Sequence, residues 1–201
     1  MKPLNIIGAS GQGKVAADIA YLVGYDIVSF FDDDVSKGSC AGIPIVGSTE
    51  DVQDAEGDLF VAVGNPRVRE MLMKRFRDRR FPTLVHPSAA VAQSATIDEG
   101  SIVMAGAVIN PEAIIGKGCI INTCASVDHD CTLNNYVHVA VGAHLCGTVK
   151  IGKATWIGAG STVINNLSVC EDVVVGAGAV VVKTIEVPGT YVGVPARRID
   201  E

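Results

Sequence analysis

From Val91 onward, aliphatic residues return every six positions. The first residue of each hexad, from Val91 through Val181, is Val, Ile or Leu in all sixteen cases. The fifth is Ala, Ser, Cys, Thr, Val or Ile, with Leu167 as the exception. An amphipathic helix would need spacings of three and four. A period of six instead predicts short strands joined by tight corners, each turning one aliphatic side chain inward, stacked as a parallel β-helix. Three hexads close one triangular coil, so residues 18 apart stack. The run makes about five coils, and at ~4.8 Å per coil a prism roughly 25 Å tall. Its corners require unusual backbone angles, which accounts for the scattered Gly, Asn and Asp.

Before this run the pattern is different. "PLNIIGASGQGKVAADIAYLVGY" reads as an apolar strand, a glycine-rich turn and a helix. "DIVSFFDDD" is a second strand ending in three carboxylates. "DLFVAVGNPRVREMLMKRFRDRR" gives a third strand, a Gly-Asn-Pro turn and a helix, with Val68, Met71, Leu72 and Phe76 on one face and a solvated basic face opposite. Strand–turn–helix repetition predicts a small Rossmann-like parallel sheet with ligand chemistry at the strands' C-terminal ends. The expected division is an α/β domain over 1–86 and an all-β domain with a C-terminal tail over 87–201.

Gly8, Gly11 and Gly13 are spaced G-x-x-G-x-G, not as the dinucleotide G-x-G-x-x-G. They form a plain tight turn or a helix start that offers N–H groups to a phosphate. Asp32 and Asp33 at the second strand end can accept bonds from sugar hydroxyls or an amino group, and Asp34 reads as a solvated turn. Gly64 falls at the third strand end. Three features converge on one crevice suited to a nucleotide-type ligand.

Composition narrows the function classes. Net charge is −6 over 201 residues, and the halves 1–86 and 87–201 carry −2 and −4. Neither is a basic platform for nucleic acid or an acidic membrane surface. No apolar run approaches 18 residues and the N-terminus lacks a signal-peptide layout, so a soluble cytoplasmic protein is expected. The six cysteines include no CxxC pair and no two 18 apart, which reads as reduced thiols serving as small core residues.

Within the hexads, "VDHDCT" places His129 between Asp128 and Asp130, beyond the inward Val127 and therefore at a corner. Such a cluster is either a surface ion cluster or a base: a carboxylate on one ring nitrogen fixes the tautomer and raises the basicity of the other. His138 and His144 end the next two hexads. His138 lies half a coil from His129 and meets it only across a subunit boundary. Zinc binding by the three histidines would need the same boundary, and the flanking acids suit a base better, so no metal is expected. Cys131 takes an inward fifth position and reads as core.

"GASGQG", "FFDDD", "AVGNP", "NTCASVDHDC", "HVAVGAHLCGTVKIG", "WIGAGSTVINN" and "YVGVPARRI" together resemble the sugar acyltransferases of the PglD/NeuD type, over nearly the whole chain. The resemblance implies a left-handed hand for the β-helix and transfer of acetyl from acetyl-CoA to the C4 amine of a UDP-linked 4-amino-4,6-dideoxy sugar for glycan biosynthesis. It also implies a homotrimer with active sites between subunits. His129 matches the general base and Asp130 the acid that raises its basicity. His138, Ala159 and Ala177 match the acetyl-CoA pocket, while Ser10, Gly11, Gln12, Asp32, Asp33 and Gly64 match the nucleotide-sugar pocket, with Asn122 as a further substrate contact. Gln12 departs from a common "GASGHG" form, and Asp128 and Asp130 stand where Glu is frequent, which leaves the sugar open. O-acetylation of sialic acid is the alternative activity, and a non-catalytic β-helical scaffold or nucleotide-binding protein the alternative class.

Overall fold

A computed structural model describes residues 2–199. Met1, Asp200 and Glu201, at the two ends of the expected domains, lie outside the described residues. The chain forms two compact units, Met1–Pro87 and Ser88–Glu201.

The first unit is built on β1 (Pro3–Ile7), α1 (Gly11–Leu22), β2 (Ile27–Phe31), β3 (Ser39–Cys40), β4 (Ile43–Gly47), β5 (Asp58–Val61) and α2 (Pro66–Arg75). The strand order is β3-β4-β2-β1-β5, parallel except for β3 with β4. Leu4, Ile6, Phe30, Leu59 and Phe60 are buried, as central parallel strands covered on both faces must be. The turn after β1 needs two of its glycines for different reasons. Gly8 has φ +106°, and a Cβ on Gly13 would stand 2.0 Å from the Gly8 carbonyl oxygen and 2.9 Å from Phe30. Gly13 therefore lets α1 press against the strand end, whereas Gly11 faces open space.

The basic face expected on the second helix is not simply solvated. Arg69 is 1% exposed and donates from Nη1 to the carbonyls of Val63 and Gly64. Arg79, beyond the helix, donates to the carbonyls of Val52 and Gly57. The Val63 and Gly64 carbonyls lie just beyond β5, and one Arg69 nitrogen donates to both. Val68 and Met71, expected to face inward, are exposed.

The second unit is the parallel β-helix expected from the hexads. One sheet stacks the two-residue strands from Ala90–Val91 to Val180–Val181, and a second those from Thr96–Ile97 to Ser168–Val169. A third rises from Ile102–Val103 to Val173–Val175 and ends in the hairpin Gly189–Val192 and Arg197–Ile199. Stacked strands pair at an offset of 18, as in Val108↔Ser126 and Ser126↔His144. First hexad positions from Val103 to Val181 are buried, and only Val91 and Ile97 in the lowest coil are partly open. Polar residues at fifth positions are satisfied internally: Ser101 Oγ donates to the Gly116 carbonyl at 2.8 Å, and Thr155 Oγ1 to that of Cys170 at 2.8 Å.

Every fourth hexad position from Gly100 through Gly178 has φ between +56° and +68°. Glycine fills some of these corners, but Glu112, Cys124, Asp130, Tyr136, Thr148, Ala154, Asn166 and Asp172 fill others. A non-glycine residue is disfavoured in this region, so the ladder on either side must impose it. Backbone bonds do so directly: Asp130 N–H donates to the Pro111 carbonyl and Thr148 N–H to that of His129. Among the described residues no helix is long and apolar enough to cross a membrane.

Leu133, 1% exposed at a first hexad position, and Leu167, half-buried at the exceptional fifth position, should respond differently to truncation. Leu133→Ala should cost about 2–5 kcal/mol and Leu167→Ala less than half as much, read from denaturation midpoints and slopes. Equal losses would contradict the assignment of the core.

Candidate active site

His129 sits at the third hexad position, the outermost point of its corner, with its side chain 57% exposed. The left-handed conformation of Asp130 turns that carboxylate back toward the ring, and His129 Nδ1 lies 2.6 Å from Asp130 Oδ2. In a neutral imidazole this bond requires the proton on Nδ1, leaving Nε2 as the basic nitrogen. Asp128 faces the other way: its Oδ1 accepts from Asn110 Nδ2 at 2.7 Å and from the His129 N–H at 2.8 Å. The Asn110 bond, then the His129 N–H, hold Asp128 below the usual carboxylate range and so keep it charged. The Asp130 hydrogen bond, followed by the charge of Asp128, pushes the imidazole above its ordinary 6.5.

One coil above lies Gly147, which sequence reading passed over. A Cβ at that position would stand 2.6 Å from Nε2 and 2.7 Å from Cε1 of His129. The imidazole therefore lies flat over a bare backbone, and any side chain at 147 would occupy the space of the basic nitrogen. The signal was available in the hexad register, since 147 is 129 plus one coil. Cys131, beside this corner, is buried, and that burial pushes its thiol up, away from the nucleophilic thiolate.

The other candidate residues form separate groups. His138 is buried and stacks on Trp156 with ring centroids 4.8 Å apart. Asn122 Nδ2 lies 3.2 Å from His138 Nε2, and Asn122 Oδ1 accepts the Thr123 N–H. Asn122 thus orients His138, a role the sequence reading did not assign. His144 Nδ1 is 2.8 Å from Ser126 Oγ. Each of the three histidines has its own partner, on a corner or on one of two different sheets. Ala159 and Ala177 are exposed at the remaining edge, 18 apart, in stacked Gly-Ala-Gly corners. A larger groove of about 910 Å³ along the sheet of Thr132, Lys150 and Ser168 contains none of these residues.

In the first unit a cavity of about 250 Å³ opens at the C-terminal ends of β1, β2 and β5. Gly8, Asp32, Asp33, Thr49, Glu50 and Arg75 supply its polar lining. Asp32 is already engaged: its carboxylate accepts the N–H groups of Ala9 at 2.7 Å and Asp34 at 3.0 Å, and pairs with Lys37. Partial burial raises its pKa, but those N–H groups and Lys37 outweigh it and the net shift is downward. It braces the glycine turn. Asp33 Oδ1 accepts the Thr49 N–H at 3.0 Å. Glu50 and Arg75, forming a two-pronged ion pair on the rim, were not foreseen. Ser10, Gly11, Gln12 and Gly64 are not among the lining residues. Ser10 is the residue before α1 and makes no side-chain cap, Gln12 Nε2 is buried with no hydrogen-bond partner among the described residues, and Gly64 offers its carbonyl to Arg69.

Gly147 lies outside the left-handed region, so alanine fits its backbone and only the side chain intrudes. Gly147→Ala should displace the ring and weaken its bond to Asp130. Histidine NMR titration should then show the His129 midpoint falling from above 6.5 toward 6.5. An unchanged midpoint and unchanged ring shifts would contradict this packing.

The PglD N-terminal domain family matches residues 3–76. UDP-N-acetylbacillosamine N-acetyltransferase of Bacillus subtilis (strain 168) is 37% identical over 113 residues, which is 52% of this chain and 52% of that protein, so the match spans about half of the curated relative. The acetyltransferase domain of PglB from Neisseria gonorrhoeae FA1090, solved with acetyl coenzyme A, is 40% identical with a TM-score of 0.95, covering 98% of this chain and 99% of that one. A histidine-to-asparagine mutant of perosamine N-acetyltransferase from Caulobacter crescentus, solved with CoA and GDP-perosamine, is 34% identical with a TM-score of 0.94, covering 100% and 98%. With both units matched along their length at this identity, the chain belongs to the PglD/PglB family of sugar acetyltransferases.

Proposed function

We propose that the chain transfers acetyl from acetyl-CoA to the C4 amine of a nucleotide-linked, UDP-type 4-amino-4,6-dideoxy sugar, with His129 as general base. The observation that carries this reading is the His129–Asp130 pair: Nδ1 is held by a carboxylate at 2.6 Å, and Nε2 is directed over bare backbone at Gly147. Relatives named as sugar N-acetyltransferases, and solved with acetyl coenzyme A or with CoA and GDP-perosamine, support the substrate classes.

Acetyl-CoA supplies the thioester carbonyl. His129 Nε2 takes the proton that the amine loses as its nitrogen bonds to that carbonyl carbon. Asp130 stabilises the resulting imidazolium, and backbone N–H groups of the coil receive the charge that develops on the carbonyl oxygen. The same imidazolium returns its proton as the C–S bond breaks and CoA leaves as the thiol. The N-terminal cavity holds the nucleotide. His138, Ala159 and Ala177, on other edges of the prism than His129, serve acetyl-CoA in a homotrimer whose sites lie between subunits.

Thiol release from acetyl-CoA should be followed with a panel of UDP- and GDP-linked 4-amino sugars and with sialic acid. His129→Ala should reduce turnover of the best amino sugar by about 10²–10⁴-fold, and the same preparation should sediment at three times the 20.9 kDa chain mass. A loss of only a few fold would sink the base assignment. Turnover of sialic acid alone would establish O-acetylation instead, and an active monomer would contradict sites shared between subunits.

A further inference from the structure

The turn between β5 and α2 passes through Val63, Gly64 and Asn65, and its two ends are restrained differently. At the helix end, Asn65 Oδ1 accepts the N–H groups of Arg67 at 3.0 Å and Val68 at 3.2 Å, and Pro66 sets the first helical φ. Gly64 has no restraint of that kind. A Cβ there would meet nothing within 4 Å, and glycine has the widest backbone freedom of any residue.

Arg69 supplies what the glycine lacks. From the first turn of α2, its Nη1 reaches back to two successive carbonyls, Val63 at 2.7 Å and Gly64 at 3.0 Å. Those carbonyls belong to the peptide planes before and after Gly64, so one nitrogen fixes both planes. The side chain is 1% exposed. Burying a guanidinium is costly unless its donors are used, and here they are spent on the turn.

That turn carries one wall of the N-terminal cavity. Val63 lines it beside Gly8, and the approach is close: a Cβ on Gly8 would stand 3.3 Å from Val63 Cγ2 and 2.8 Å from the Ala62 carbonyl oxygen. Val68, Met71 and Leu72 line it from α2. Arg69 is not among the lining residues, yet it ties the Val63 wall to the helix that bears the other.

We propose that Arg69 is a positioning residue for the nucleotide: by clamping both peptides of Gly64 it sets the two apolar walls against each other, and with them the affinity for a nucleoside diphosphate. This rests on the reading of the cavity as the nucleotide site. Arg69 belongs to the first unit and the groups assigned to acetyl transfer to the second, so it acts on capture of the nucleotide sugar and not on the chemical step.

Steady-state kinetics on the full chain, with calorimetry of UDP and GDP, tests this in wild type, Arg69→Met and Arg69→Lys. Methionine keeps a long apolar stem and withdraws the donors, so the two carbonyls turn toward other partners. Arg69→Met should raise KM for the best nucleotide sugar about 10- to 100-fold and weaken binding of the preferred nucleoside diphosphate by the same factor. KM for acetyl-CoA and kcat at saturation should stay within about two-fold. Lysine keeps a charged donor without the planar fork, so Arg69→Lys should give an intermediate rise of about 3- to 10-fold with the same split. Should the methionine variant not fold, the lysine variant alone carries the test. Unchanged nucleotide affinity in the folded variants, or a kcat that falls with melting temperature while KM stays fixed, would overturn the positioning role and leave the nucleotide reading intact. Failure of the wild type to bind either UDP or GDP would overturn both.

Discussion

The 18-residue backbone ladder is the constraint on which the rest of the second unit depends. Each two-residue strand is too short to be stable alone and is held only by the strands one coil below and above. The ladder keeps the inward aliphatics in file, and it also forces the fourth hexad positions from 100 through 178 into the left-handed region, whatever residue stands there. Side chains at the corners are therefore set by coil geometry more than by their own preferences.

That forcing is what turns a rigid prism into a chemical site. Asp130 is held where its carboxylate reaches His129 Nδ1, and Asp128 is held where Asn110, one coil below, donates to it. The two acids flanking the histidine have different work: one contacts the ring, and the other is tied into the coil and contributes its charge from a fixed position. Gly147 completes the arrangement by contributing nothing but backbone. A base on a flexible loop would lose entropy on being positioned; here the fold has already met that cost.

Much of this was legible in the residues. The hexads gave the β-helix because one buried position per short strand leaves a period that no helix shares. The Asp-His-Asp corner stood out because charges are rare in that stretch, and register alone put it outside. What could not be read were contacts that depend on where a backbone group ends up. Asp32, read as a ligand residue at a strand end, lines the cavity there and also accepts the Ala9 and Asp34 N–H groups. Arg69 looks like part of a solvated basic face but is buried against strand-end carbonyls. Asn122, read as a substrate contact, also meets His138, 16 residues further on in the same sheet as the strand that runs into Asn122. Gly147 differs from these, since the 18-residue stack would have identified it.

The central claim is that Asp130 sets the basicity of His129 through a contact the coil imposes. Asp130→Asn tests it most directly, because asparagine tolerates the left-handed corner and removes only the charge. A general base works deprotonated, so kcat/KM falls as pH drops through the pKa of His129. With Asp130 in place that acid limb should lie above 6.5, and in Asp130→Asn it should move to lower pH, together with a reduced plateau. An acid limb that stays where it was in the variant would contradict the account.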